Sequence, residues 1–398
     1  MTCPRDFVFG PWRAIPVLGV TQVLAWGTIF YTPVLMVPLI VADRGFSFTA
    51  AMGGFSAGLL TAGLVAPTVG TLIDRYGGHR VMPFGSLAGA LGLLALTHAT
   101  HILSYYAAWM LLGAALAASL YDAAFASLGR IFGAGARAPI TALTLIGGFA
   151  STVSWPLTYF LLQHLRWQGT YLVYAALLAL VAAPLHAFAL PRDRAETDAK
   201  SDARSDEGTP ATPPPQPARG AAFALVVAAF AAYAFVPSGL SAHLLAIFRR
   251  AGIDAGTVVL IGALFGPAQV AARLGELIFA RNVHPLDLVR FAIALLLTAF
   301  VLLALLGVSA PAATLFAVMF GLANGLGTIA RGAVPLALFG AAGYGGIIGR
   351  IAGPALIVTA IAPVVIAFIA ERISDPAALA AAAAFAALSL GCFLLVRR

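Results

Sequence analysis

Gly70-Thr71-Leu72-Ile73-Asp74-Arg75-Tyr76-Gly77-Gly78-His79-Arg80 is a short charged turn set between two long apolar runs. Gly45 to Ile73 before it and Val81 to Tyr121 after it contain no Asp, Glu, Lys or Arg. A helix crosses a bilayer with about 20 apolar residues. Both runs are longer, so the turn reads as a tight loop between membrane spans. Its glycines permit a positive-φ turn. Asp74 can cap a helix N-terminus and pair with a nearby arginine.

The pattern continues in both directions. Ala14 to Ala42 is a first span and Gly45 to Ile73 a second. Val81 to Tyr121 is double length and breaks at Thr97-His98-Ala99-Thr100-His101. Ala138 to Leu165 and Trp167 to Pro191 are the fifth and sixth spans. Gly220 to Phe248, then Ala255 to Ala272 with the turns beyond it, are the seventh and eighth. Phe291 to Ala330 is again double and breaks around Gly307 to Pro311. Ile351 to Ala370 and Pro376 to Val396 bring the count to twelve. The chain of 398 residues is 61% hydrophobic and 10% charged, with a mean hydropathy of +0.96. A soluble domain carries about 25% charged residues, so soluble classes are excluded. Continuous rather than alternating apolar runs exclude a β-barrel. Cys3 and Cys392 stand at opposite ends, which excludes a disulfide framework. The expected fold class is an all-α polytopic membrane protein.

Between the sixth and seventh spans the composition changes. Pro191 to Gly220 holds five basic and six acidic residues and a proline cluster, and reads as a solvated linker. The expected domains are an N-terminal six-helix bundle, 1–190, a cytoplasmic disordered linker, 191–220, and a C-terminal six-helix bundle, 221–398. Net charge is +8, and 22 of the 23 basic residues are arginine. Basic residues favour the cytoplasmic side. Fifteen fall on the side of the linker and five on the other, which expects both termini and the linker in the cytoplasm of a bacterial inner membrane. No cleavable signal sequence is expected.

The loop at 70–80 resembles the signature loop of the major facilitator superfamily, G-x-L-x-D-R-x-G-x-R/K between the second and third helices. The resemblance implies two six-helix bundles. It also implies a latch formed by Gly70, Asp74, Arg75, Gly77 and Arg80 with Arg130 and the start of helix eleven, near Arg350, which holds an outward-open state. In the second half Glu276-Leu277-Ile278-Phe279-Ala280-Arg281 occupies the corresponding place. Drug/proton antiporters of the superfamily carry an arginine mid-way along helix four and a G-P-x-x-G-G end to helix five. Neither is present in Trp109–Leu120 or in Gly147–Pro156. Gly27-Thr28-Ile29-Phe30-Tyr31, the signature loop and Arg273 resemble the monocarboxylate porter and oxalate/formate antiporter branch. Two departures stand out. Relatives read Gly-Trp-Arg before helix six, where this chain has Arg166-Trp167-Gln168. The second basic residue of oxalate exchangers is matched only loosely by Arg350.

Ionisable side chains within spans cost roughly 2.5 to 3.5 kcal/mol each on insertion scales and mark candidate sites. Gln269, Arg273 and Glu276 are spaced by four and three, on one helical face. Arg273 offers a planar fork suited to a carboxylate, and Glu276 can neutralise it or carry a proton. A structural ion pair is the alternative. Asp122 on helix four is the other proton-coupling candidate, against a buried acid that pairs with an arginine. By 100° increments it shares a face with Ser104, Ala108, Ala115, Ala118 and Gly129. On helix ten Asn324, Thr328 and Arg331 share a face. On helix one Thr21, Thr28 and Thr32 align, flanked by Trp26 and Tyr31, with Pro33 and Pro38 expected to bend the outer half. Tyr233 and His243 on helix seven complete the candidate substrate contacts.

No metal-ligand cluster and no phosphate-cradling loop occurs, so neither a cofactor, a metal nor ATP is expected. The sequence reads as a secondary transporter, not an enzyme, and no nucleophile–base pair is visible. The expected partners are a small organic anion, a monocarboxylate by the branch resembled, protons or a counter-substrate, and membrane lipids. No nucleic-acid partner is expected, and the chain is expected to be a monomer. Two alternatives stay open: a proton-driven efflux antiporter for drugs or other toxic solutes, and a non-transporting sensor or assembly factor on the same fold.

Overall fold

The computed structural model describes residues 10–192 and 220–397. The expected linker lies outside the described residues except at its ends. Twelve helices among the described residues are long and apolar enough to cross a membrane. They are α1 (Pro11–Arg44), α2 (Phe48–Tyr76), α3 (Gly78–His98), α4 (Ile102–Gly135), α5 (Arg137–His164) and α6 (Trp167–Ala189). Then follow α7 (Ala221–Arg250), α8 (Ala255–Ala280), α9 (Pro285–Leu306), α10 (Ala310–Phe339), α11 (Tyr344–Arg372) and α12 (Asp375–Leu395). The helices run past the charge-free limits, because terminal turns take in charges such as Arg44, Asp74, Arg331 and Arg350. Such long side chains reach the interface or a partner while the backbone stays helical.

Local chemistry sets the ends. Gly45 (φ 71°) and Gly77 (φ 81°) stop α1 and α2 in backbone conformations that other residues avoid. Ser47, Asp254 and Ser374 accept from the N–H groups of Ala50, Thr257 and Ala377 at the starts of α2, α8 and α12. Hydrogen bonds from the Thr257 hydroxyl and backbone hold the Asp254 carboxyl below the usual carboxylate range.

The chain divides into two compact units. One comprises the described part of Met1–Ala218 together with Phe339–Gly353. Within it α4 packs along both α2 and α3, α3 along α6, and α1 along α5. The first turns of α11 belong to this unit because of a seam of small residues. A Cβ on Gly70 would collide with the Gly345 carbonyl, and one on Gly349 with the Ala66 carbonyl. Glycines 345, 349 and 353 recur every four residues, so one face of α11 lies backbone to backbone on α2.

The other unit comprises the described parts of Arg219–Leu338 and Pro354–Arg398. There α12 packs along α7 and α9. Ala272, Leu288, Ala292, Leu326 and Ile329 form a core between α8, α9 and α10. Gly321 and Gly325 let α10 approach α8: added Cβ atoms would stand 2.6 Å from the Ala268 Cβ and 2.5 Å from the Gln269 carbonyl oxygen.

Candidate functional site

In the second unit the polar residues of three helices converge. Arg273 and Glu276 are 3% and 2% exposed, although both are ionisable. An Arg273 Nη2 donates to Gln269 Oε1 at 3.4 Å, one turn earlier on α8. The Tyr233 hydroxyl, on α7, donates to Asn324 Oδ1 at 3.2 Å on α10. Room for that hydroxyl exists because residue 327 is glycine; a Cβ there would overlap it. Gly325, the residue after Asn324, lies against the Gln269 backbone, which brings this part of α10 onto α8. Glu276 opens a π-turn, Glu276–Ala280. Such turns recur at functional sites. Tyr233, Gln269, Arg273 and Asn324 are thus neighbours in a largely dehydrated place.

Three further expected contacts belong to this unit. The Thr328 hydroxyl turns back onto the Asn324 carbonyl of its own helix at 2.9 Å. Arg331 is half-buried further along α10. His243 Nε2 donates to the Pro363 carbonyl at 3.1 Å and so joins α7 to α11. Beside it Ser238 Oγ donates to the Thr359 carbonyl at 2.6 Å. That carbonyl is the one left without its helical donor by Pro363, four residues on.

In the first unit α1 and α4 are both interrupted near the middle of their spans. α1 contains a π-turn, Trp26–Phe30, and restarts at Pro33. The helical pairing is interrupted at Tyr31 and Thr32, directly before Pro33. α4 breaks at Leu120, whose ψ of −169° is extended. Gln22, fully buried, donates its amide to the Ser119 carbonyl at 2.6 Å. It thereby takes the oxygen that the Ala123 N–H would otherwise reach. This break corrects the expected face of α4: beyond Ser119 the 100° increments no longer hold, so Asp122 and Gly129 do not continue the face of Ala108 and Ala115. Ser104 is exposed at the start of the helix.

Gln22 has a second bond. Its Oε1 accepts from the Trp26 indole N–H at 3.1 Å. Trp26 then meets Phe30, Tyr31 and Tyr121 at centroid distances of 4.7, 5.8 and 5.3 Å. Thr28 is buried and its hydroxyl has no hydrogen-bond partner, as is also true of Ser119 Oγ. Thr32 donates to the Thr28 carbonyl. Thr21 lies in a different network. Its hydroxyl donates to the Leu18 carbonyl and faces His186 Nε2 at 2.9 Å, while His186 Nδ1 faces Ser86 Oγ at 3.0 Å. Because the Thr21 proton is already engaged, Nε2–H donates to Thr21 and Nδ1 accepts from Ser86. His186, completely buried, lies in a π-turn of α6, Leu185–Ala189.

At the loop of 70–80 the Asp74 carboxylate accepts from the Gly345 N–H at 2.8 Å and the Gly346 N–H at 2.6 Å. These are orphan donors of the first turn of α11, where the helix dipole favours a negative charge. Arg130 Nη1 donates to the Ile73 carbonyl at 3.0 Å and to the Asp74 carbonyl, capping the end of α2. Arg350 Nε donates to the Gly346 carbonyl at 3.2 Å. Arg75 and Arg80 are exposed, and Arg75 stands over the Tyr76 ring at 5.1 Å. Tyr344, fully buried, packs against Gly129, which stands two turns beyond Asp122 on α4.

The family model described as Major Facilitator Superfamily matches residues 18–320. The chain belongs to the major facilitator superfamily. Solved structures with the same fold include three transporters of that kind or likeness. The human organic anion transporter MFSD10 (TETRAN) is 16% identical, with a TM-score of 0.71 over 100% of both chains. The Major Facilitator Superfamily transporter FucP, in the outward conformation, is 14% identical, with a TM-score of 0.71 over 96% of this chain and 99% of that one. The proton:xylose symporter XylE bound to 6-bromo-6-deoxy-D-glucose is 10% identical, with a TM-score of 0.68 over 98% and 97%. At these identities the likeness is one of fold. No curated protein sequence matches the chain. The protein is a multi-pass membrane transporter and not an enzyme.

Proposed function

We propose that this superfamily member is a secondary active transporter for a small organic anion, a monocarboxylate, by proton coupling or exchange. The observation that carries the reading is Arg273. Its guanidinium keeps its charge in low dielectric and requires an anion. It is 3% exposed, within a span, beside Gln269 and the Tyr233–Asn324 pair. The three solved relatives handle an organic anion, a solute their description leaves unnamed, and xylose, so the fold admits several substrates and the residues must discriminate. Trp26, Thr28 and Tyr31 are the proposed contacts of the first unit. Arg331 serves the same anion-attracting field. His243 is left to helix packing by its bond to Pro363. Glu276 and Asp122 are the acids available to carry a proton. Asp74, with Gly70, Gly77, Arg130 and Arg350 around it, is the latch of the outward-open state. Both termini and the linker face the cytoplasm of a bacterial inner membrane, on the strength of the basic asymmetry.

The test uses purified protein and small carboxylates. Arg273→Lys keeps the charge and loses the bidentate fork, so affinity should fall; an ionic hydrogen bond contributes about 1.5 to 3 kcal/mol. Arg273→Ala should be worse. The double variant Arg273→Ala, Glu276→Ala removes both buried charges together. Folding should recover in it and anion transport should not. Restored anion transport in the double variant would show that Arg273 is structural.

A further inference from the structure

Within the second unit two side-chain amides are held in a fixed sense. Gln269 on α8 and Asn324 on α10 are both half-buried. They stand on facing turns: a Cβ on Gly325, next to Asn324, would lie 3.0 Å from the Gln269 Cα. A carboxamide has one accepting end and one donating end. Arg273 carries donors only, so the end of Gln269 that meets it at 3.4 Å is Oε1. The Tyr233 hydroxyl donates to Asn324 Oδ1 at 3.2 Å, and its alternative acceptor, the Ala323 carbonyl, is further off at 3.4 Å. Both accepting ends are therefore spent inside the protein. The two NH2 groups are not. Among the described residues neither donates to a protein acceptor, and neither amide is buried.

The acceptors that remain are set apart from these two groups. The Tyr233 oxygen keeps lone pairs, but the residue is only 9% exposed. Glu276 lies two turns along α8 from Gln269 and is 2% exposed. The Thr328 hydroxyl lies one turn further along α10 than Asn324, with its proton spent on the Asn324 carbonyl. A solute group placed at the two amides thus meets donors first. An ammonium there would face those donors and the charge of Arg273, one turn along α8, which opposes it. A hydroxyl can accept from the amides but brings a proton that needs an acceptor of its own. A carbonyl oxygen accepts through both of its lone pairs and brings no proton.

We propose that the NH2 groups of Gln269 and Asn324 form a subsite for a carbonyl oxygen on the carbon next to the carboxylate, which makes the solute a 2-oxo monocarboxylate. The proposal rests on the anion reading for the carboxylate, which Arg273 takes, and on the orientation of the two amides for the carbonyl. Tyr233 is a positioning residue that acts through Asn324.

Titration calorimetry on the full-length protein, with pyruvate, propionate, lactate, alanine and pyruvamide as probes, tests it. Pyruvate should bind about 2- to 10-fold more tightly than propionate, the margin of one hydrogen bond between uncharged groups. It should also bind more tightly than lactate or alanine. Gln269→Met and Asn324→Leu remove a donor at similar volume, and each should bring the pyruvate-to-propionate ratio close to one. Tyr233→Phe lets the Asn324 amide turn and should lower the ratio part-way. A merely structural role would weaken both carboxylates and keep their ratio. A wild-type ratio of one, with both bound, overturns the carbonyl subsite and leaves the anion reading standing. Lactate or alanine bound as tightly as pyruvate overturns it equally. Pyruvate and pyruvamide bound alike, with propionate unbound, supports the subsite and removes the carboxylate from the solute. If a variant fails to fold, the wild-type ratios decide. Binding of none of the probes overturns both readings.

Discussion

Asp122 shows how much a single residue's neighbourhood changes its meaning. By spacing alone it belongs to a wall of small residues on helix four. In the structure the backbone breaks two residues before it, and Gly129, two turns further on, packs against Tyr344 of α11. We propose that protonation of this acid acts on the neighbouring first turn of α11, through the Gly129–Tyr344 contact. Asp122→Asn mimics the protonated form. It should abolish proton-driven accumulation in proteoliposomes and leave exchange of labelled for unlabelled solute partly intact. Glu276→Gln is measured beside it, because that buried acid lies next to Arg273 in sequence and can serve the same purpose. Full pH-driven accumulation by the Asp122→Asn protein would clear Asp122 of the role.

Among the elements, interrupted helices separate what the sequence discloses from what it conceals. The spans themselves were legible, since apolar length and charge-free runs follow directly from the bilayer's thickness. The loop of 70–80 was legible too, because its glycines and Asp74 are each required by local backbone geometry. The break at Leu120 was not. Ala117-Ala118-Ser119-Leu120 contains no glycine or proline, and the cause, the Gln22 amide on the Ser119 carbonyl, is 97 residues distant. Gln22 and His186 were missed for the same reason: each is a lone polar residue in an apolar run until its partner's position is known. Prolines give the opposite case, a visible cause whose remedy was hidden. Pro363 frees the Thr359 carbonyl, and Ser238 on α7 satisfies it. Ser238→Ala should therefore destabilise the protein by about 1 to 3 kcal/mol, the cost of a buried acceptor left unpaired. In a Pro363→Ala background the restored N–H can reach Thr359, so Ser238→Ala should cost much less. Thermal unfolding of the four proteins of this cycle in detergent measures the difference. Equal costs in both backgrounds would mean that Ser238 does not act through that carbonyl.

Across the whole molecule the two halves repeat a device with reversed signs. In the first unit Asp43, at the end of α1, accepts from Arg166, Trp167 and Gln168 at the start of α6. In the second, Arg250, at the end of α7, donates both its forks to Asp375 at the start of α12, at 2.8 and 2.6 Å. Acid and base have changed places, which is why residue identity shows so little of the repeat while hydropathy shows it plainly. The same clamp gives the three consecutive side chains Arg166, Trp167 and Gln168 one partner: all of them serve Asp43. The basic asymmetry predicts how these clamps are oriented. Reporters fused near Pro214 and at the C-terminus should both be cytoplasmic, and a periplasmic signal at either would reverse the assignment.

On the orientation expected from the basic asymmetry the Asp74 contact lies on the cytoplasmic side, and its consequences for the transport cycle are testable. The carboxylate holds two N–H groups of α11 at 2.8 and 2.6 Å, and no substrate contact is assigned to it. Asp74→Asn leaves one carbonyl oxygen and replaces the other with a donor that faces an N–H. The loss of an ionic hydrogen bond, about 1.5 to 3 kcal/mol, corresponds to roughly a 10- to 150-fold shift in the ratio of latched to unlatched molecules. The glycine seam of 345, 349 and 353 against α2 remains, so the protein should stay folded with a thermal midpoint close to the parent's. Spectroscopic distances between labels at the cytoplasmic ends of α2 and α11 should move towards the separated population, and transport should slow. Solute affinity, measured with each conformer trapped, should be unchanged. A variant that loses affinity in a trapped conformer, with its distance distribution unaltered, would place Asp74 in the binding site and leave the latch without its central residue.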